Sequence, residues 1–136
     1  GGVPMGAVAW RGELGTLPRG SHGSTFGGNP LACATAIASV TTLRDEHLPD
    51  HARDLGSWII AELQAMNLSQ VREIRGAGLI IGIELRGRVT PILKVLQERG
   101  ILALPAGLNV LRLLPPLIIT REEAQTVLTV LEEVLA

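Results

Sequence analysis

Nine of the sixteen glycines fall within the first 28 residues, a stretch with only three charged side chains, Arg11, Glu13 and Arg19. Glycine gives up more conformational freedom on folding than any other residue, so a segment this rich in it is mostly loop and turn. The rest of the chain carries most of the charge and most of the helix formers. The 136 residues therefore divide into two regions with different structural duties. At 46% hydrophobic and 18% charged, the composition is that of a folded chain and not of a disordered one. Trp10, Phe26 and Trp58 are the only aromatic residues, so the core must be aliphatic.

The net charge is −1 and the isoelectric point about 6.3, with no basic stripe, so nucleic acid is not an expected partner. A single cysteine, Cys33, excludes an internal disulfide framework and leaves the cytoplasm as the default compartment. The longest apolar stretches, such as Leu79 to Ile83, are too short to span a bilayer, and no secretory leader pattern is visible. The chain opens Gly-Gly-Val-Pro, without an initiator Met, which reads as a fragment.

Gly6 to Trp10 reads as a short buried strand, and residues 17–30, punctuated by glycine and proline, as loop. Asn29 is a good helix N-cap and Pro30 suits the first helical position, which predicts a helix from Pro30 to about Glu46. A second helix is expected from Pro49 to about Met66, with Leu55, Trp58, Ile59, Leu63 and Met66 on its buried face. Strands follow at Val71 to Arg75 and Leu79 to Leu85, hinged by Gly76-Ala77-Gly78. A third helix spans Val89 to Arg99 and stops at Gly100. Strands at Ile101 to Leu104 and Val110 to Leu114 precede Pro115-Pro116. Thr120 and Glu123 form a capping box for the last helix, whose inner face carries Leu128, Leu131 and Val134. The order α-β-β-α-β-β-α defines an α+β domain with helices on one face of a mainly antiparallel sheet.

Two places stand out chemically. In Ser21 to Pro30, two hydroxyls, Ser24 and Thr25, sit among glycines just before a helix N-terminus. Free backbone N–H groups and the helix dipole favour an anion there. The spacing alone favours a capped turn, because it matches neither the phosphate-loop nor the dinucleotide fingerprint. Arg112 lies inside the apolar run Val110 to Leu114. It either faces water by strand alternation or meets an anionic partner, and its fork suits a carboxylate. His22, His47 and His51 lack metal-ligand spacing and read as surface residues, although His22 also suits bracing the glycine loop. Cys33 reads as a small buried hydrophobe. Glu84, on an apolar strand, is expected to pair with an Arg or to face solvent.

Taken together, these segments resemble the C-terminal part of class III pyridoxal-phosphate aminotransferases, nearest the acetylornithine and LysW-γ-lysine group. Gly1 to Ala7 resembles the segment after the family's Schiff-base lysine. His22-Gly23-Ser24-Thr25-Phe26-Gly27-Gly28-Asn29-Pro30-Leu31 is similar to its most specific signature. Val71 to Leu79 and Val110 to Leu117 resemble two further stretches. The resemblance implies a fold-type I transferase, with residues 1–46 ending the large α/β cofactor domain and 47–136 forming the small C-terminal α+β domain. It implies that Thr25, with Ser24 beside it, contacts the phosphate of pyridoxal 5'-phosphate in the partner subunit of a homodimer, and that Arg112 binds the substrate carboxylate.

The lysine that would form the imine with the cofactor is expected upstream of Gly1. The one lysine present, Lys94, lies on a helix without a surrounding glycine or hydroxyl motif. The resemblance thus implies transfer of the terminal amino group of N-acetylornithine or LysW-γ-lysine to 2-oxoglutarate, in arginine or lysine biosynthesis, by a longer protein of which this chain alone is inactive. Ornithine, succinylornithine and 4-aminobutyrate enzymes share the signature around Thr25 and remain alternatives. So does a non-catalytic association module, given the high hydrophobicity of a short chain.

Overall fold

The computed structural model describes residues 2–136; Gly1, where the first family-like segment begins, lies outside the described residues. The chain forms two compact units, residues 1–46 and residues 47–136.

The first unit contains a three-residue 3-10 helix, Gly12–Leu14, and one long helix, α1 (Pro30–Asp45). Asn29 caps α1 as its chemistry requires: its side-chain oxygen accepts from the Ala32 N–H at 3.0 Å. The Asn29 amide also donates to the Phe26 carbonyl at 2.9 Å, closing the turn before the helix. Gly6 to Trp10 does not form the expected strand. A strand needs a ladder, and no described segment pairs with this one, so it stays irregular and exposed. Cys33 is only half-buried, because Ala32 alone in α1 is fully covered.

The second unit follows the expected order. Helix α2 (Leu48–Ala65) precedes strands β1 (Val71–Ala77) and β2 (Ile80–Leu85). Helix α3 (Val89–Glu98), strands β3 (Leu104–Pro105) and β4 (Val110–Leu113) and helix α4 (Arg121–Leu135) complete it. The sheet order is β1-β2-β4-β3, antiparallel throughout. Pro49 does not interrupt α2, because the first helical turn has no N–H bonds to lose. The β1–β2 hairpin turns on Gly78-Leu79, with Ala77 opposite Ile80; Gly78 supplies the positive φ of +56° that the turn needs. The strand expected from Ile101 shortens to two residues, since the Ile101 amide donates to the Leu96 carbonyl in closing α3. Both halves of the capping box form at Thr120 and Glu123.

The core is aliphatic, as the composition requires. Ile81, Ile83 and Leu85 of β2 and Leu111 and Leu113 of β4 face the helices. Opposite them lie Leu55, Ile59 and Leu63 of α2, Leu96 of α3, and Ala124, Leu128, Leu131 and Leu135 of α4. Trp58 and Met66 pack at the margin of the cluster, as does Val134, whose expected place deep in the core belongs to Leu135.

Helix α2 lies so close to the hairpin that a Cβ on Gly56 would sit 2.0 Å from the Gly78 carbonyl oxygen. Both partners are backbone, so no rotamer change relieves that clash. Gly56→Ala is expected to lower stability by about 1–3 kcal/mol, the usual cost of overpacking. Equilibrium denaturation measures it, and an unchanged midpoint would mean that α2 can move away from the hairpin freely.

Candidate functional site

Strand alternation decides where the second unit can do chemistry. With Ile81, Ile83 and Leu85 turned to the helices, Gly82 and Glu84 must point to the opposite face of the sheet. Register then brings their neighbours to that face. Arg112 of β4 stands opposite Gly82, and Val110 opposite Glu84. On the other side of β2, Arg75 stands opposite Gly82, and Glu73 opposite Glu84. Leu104 of β3 completes the row beyond Arg112. The face turned away from the helices therefore carries Arg75, Arg112, Glu73 and Glu84 around Gly82, with Val110 and Leu104 beside them.

The arginines on this face fare differently. Arg75 donates from Nη1 to Glu84 at 2.9 Å and to Glu73 at 3.0 Å. It bridges two carboxylates that face each other across the strands and would otherwise repel. The hydrogen bond to Glu84, and then the charge of Glu73, raise the Arg75 pKa above its ordinary value. Arg72, beside a register shift in β1, reaches the other oxygen of Glu84 at 3.3 Å. Glu84 is thus doubly held and only 17% exposed. Arg112 is half-buried, forms no ion pair among the described residues, and buries its Nε without a hydrogen-bond partner. A buried N–H left unsatisfied costs on the order of 1–3 kcal/mol, more on a charged group. Its fork is therefore fit to receive a planar anion such as a carboxylate.

In the first unit, Ser24 and Thr25 are exposed in the turn ahead of α1, and neither hydroxyl has a partner among the described residues. Gly27 packs on Ser24: a Cβ there would lie 3.0 Å from Ser24 Cβ. Gly28 adopts a φ of +69°. The loop thus offers two free hydroxyls held close to a capped helix N-terminus, a donor set that fits a phosphate.

The histidines separate. His22 and His47 are exposed, but His51 is half-buried and its Nε2 donates to the Ile119 carbonyl at 2.9 Å. It ties α2 to the segment preceding α4, a long-range role that sequence spacing could not reveal. Arg121 covers the Trp58 ring at 4.2 Å. Among the described residues no group of His, Cys, Asp and Glu could hold a metal, and no helix is long and apolar enough to cross a membrane. Lys94 projects into solvent from α3.

The four-stranded antiparallel sheet with its helices is that of a fold-type I transferase. The family model described as "Aminotransferase class-III" matches residues 1–135, and the chain belongs to that family, whose members depend on pyridoxal phosphate. It is 43% identical over 133 residues to the acetylornithine aminotransferase of Methanosarcina acetivorans, covering 98% of this chain and 33% of that protein. It is 39% identical over 137 residues to the [LysW]-aminoadipate semialdehyde transaminase of Deinococcus radiodurans, covering 99% of this chain and 32% of that protein. The crystal structure of the ornithine aminotransferase from Toxoplasma gondii superposes with a TM-score of 0.80 at 39% identity, over 88% of this chain and 30% of that one. The chain thus spans about a third of the length of the relatives it matches.

Proposed function

We propose that this chain is the C-terminal third of an aminotransferase that moves the terminal amino group of N-acetylornithine or LysW-γ-lysine to 2-oxoglutarate, in arginine or lysine biosynthesis. The observation that carries this reading is Arg112, a half-buried guanidinium with no ion pair among the described residues and a buried Nε without a partner. It sits on the face of the sheet turned away from the helices, opposite Gly82. All these substrates carry a carboxylate that a planar fork can grip through two hydrogen bonds.

In this reading residues 1–46 end the large cofactor domain and 47–136 form the small one. Ser24 and Thr25 hold the phosphate of pyridoxal 5'-phosphate across the interface of a cytoplasmic homodimer. The cofactor, when bound, carries the amino group and acts as the electron sink for the proton transfers. The lysine that anchors it lies upstream of Gly1; Lys94, exposed on α3, is not that residue. Ornithine is an equally supported amino donor, because the relatives include enzymes of both specificities. Succinylornithine and 4-aminobutyrate are further alternatives.

In the complete enzyme Arg112→Lys keeps the charge and loses the fork. It should weaken amino-acid substrates by about 1.5–3 kcal/mol, the worth of a charged hydrogen bond, read as a higher KM. Substrate kinetics untouched by the change would overturn the carboxylate role. Thr25→Ala should instead leave KM for the amino donor near its original value and speed loss of pyridoxal phosphate on dialysis. The isolated 136-residue chain should show no transamination when pyridoxal phosphate is supplied. Measurable turnover by it would remove the requirement for an upstream lysine.

A further inference from the structure

Arg112 forms no ion pair among the described residues although an acid shares its face of the sheet. Glu84 lies two residues along β2 from Gly82, and Gly82 is the register partner of Arg112. Glu84 and Arg112 are therefore diagonal neighbours on the same face, roughly 7–8 Å apart at the backbone, which two long side chains can bridge. Gly82 adds no side chain of its own to this face, and the Val110 side chain leans over it: a Cβ on Gly82 would meet Val110 Cγ1 at 3.4 Å. Each Glu84 oxygen is already engaged from the β1 side, one by Arg72 at 3.3 Å and the other by Arg75 at 2.9 Å.

We propose that Arg72 and Arg75 are positioning residues that hold Glu84 toward β1 and so keep the Arg112 guanidinium free for the substrate carboxylate. The inference rests on the carboxylate role of Arg112. It assigns to the β1 arginines a part in substrate affinity rather than in stability. The two arginines are themselves exposed, at 68% and 50%, and only the Glu84 end of each pair is covered. Without them, Glu84 is a half-buried carboxylate with one cation in reach, and it becomes an internal competitor for the site. Arg75 also needs Glu73, which its Nη1 contacts at 3.0 Å, to stay on the β1 side.

The test uses the complete enzyme with steady-state kinetics on the amino donor and on 2-oxoglutarate. Arg72→Ala/Arg75→Ala should raise KM about five- to tenfold, with kcat within a factor of two, as expected when a charged contact must be broken before substrate binds. Adding Glu84→Gln should restore most of the lost affinity, which a merely structural role for the arginines would not. A crystal structure of the double variant should show a Glu84 oxygen within hydrogen-bond distance of Arg112. If the double variant does not fold, Arg75→Ala alone keeps the Arg72 contact and should give a two- to threefold rise with the same rescue. An unchanged KM, a rise that Glu84→Gln does not reverse, or Glu84 still directed to β1 in the variant would each overturn the proposal. Arg112→Lys measured alongside separates the two levels. If that variant also leaves KM unchanged, the carboxylate role fails. If it raises KM and the β1 variants do not, only the positioning role fails.

Discussion

The alternation of β2 governs the second unit. Ile81, Ile83 and Leu85 are each at most 2% exposed, and burying three such side chains fixes the strand's orientation against the helices. Everything on the other face follows from that choice. A slip of one residue would turn Gly82 and Glu84 into the core and the isoleucines to solvent. The placement of Arg112 is therefore a by-product of hydrophobic burial on the opposite side of the sheet. Register through Gly82 transmits it, with no polar contact of its own.

The packing of α2 enforces the same arrangement from the other side. Gly56 meets the backbone at Gly78, and Gly76 turns toward Ile60, where a Cβ would approach its Cδ1 to 3.2 Å. The helix thereby presses on the hairpin that joins β1 to β2. His51 and the Arg121–Trp58 contact secure the other end of the helical layer. The sheet face that carries Arg112 is thus backed by a layer with little room to shift.

Much of this was legible in the sequence because it depends on local rules. The cap at Asn29, the capping box at Thr120 and Glu123, the stop at Gly100 and the apolar spacing of α2 and α4 each involve residues within a few positions of one another. Most of what escaped depends on partners distant in the chain. Gly6 to Trp10 has the composition of a strand and no ladder to join. The strand after Gly100 is shortened by a bond that Ile101 makes to Leu96. His51 finds its carbonyl 68 residues away. For Arg112, the residue type and its apolar run marked the position, but the choice between solvent and an anion needed the register with Gly82 and the buried, unpartnered Nε. The double engagement of Glu84 was open in sequence to the extent that an Arg was expected; that there are two, both from β1, was not.

The two margins of the sheet are finished by different means. At β3 the strand is only two residues long, and Pro105 has no N–H to offer a neighbour. At β1 the strand runs for seven residues, a length that would invite another strand to add itself. There the sequence Arg72-Glu73-Ile74-Arg75 sets three charges in four positions along the rim. The side chains that organise the anion-facing surface thus also make that rim a poor template for intermolecular pairing. Selection against aggregation and selection for an open Arg112 would bear on the same few residues.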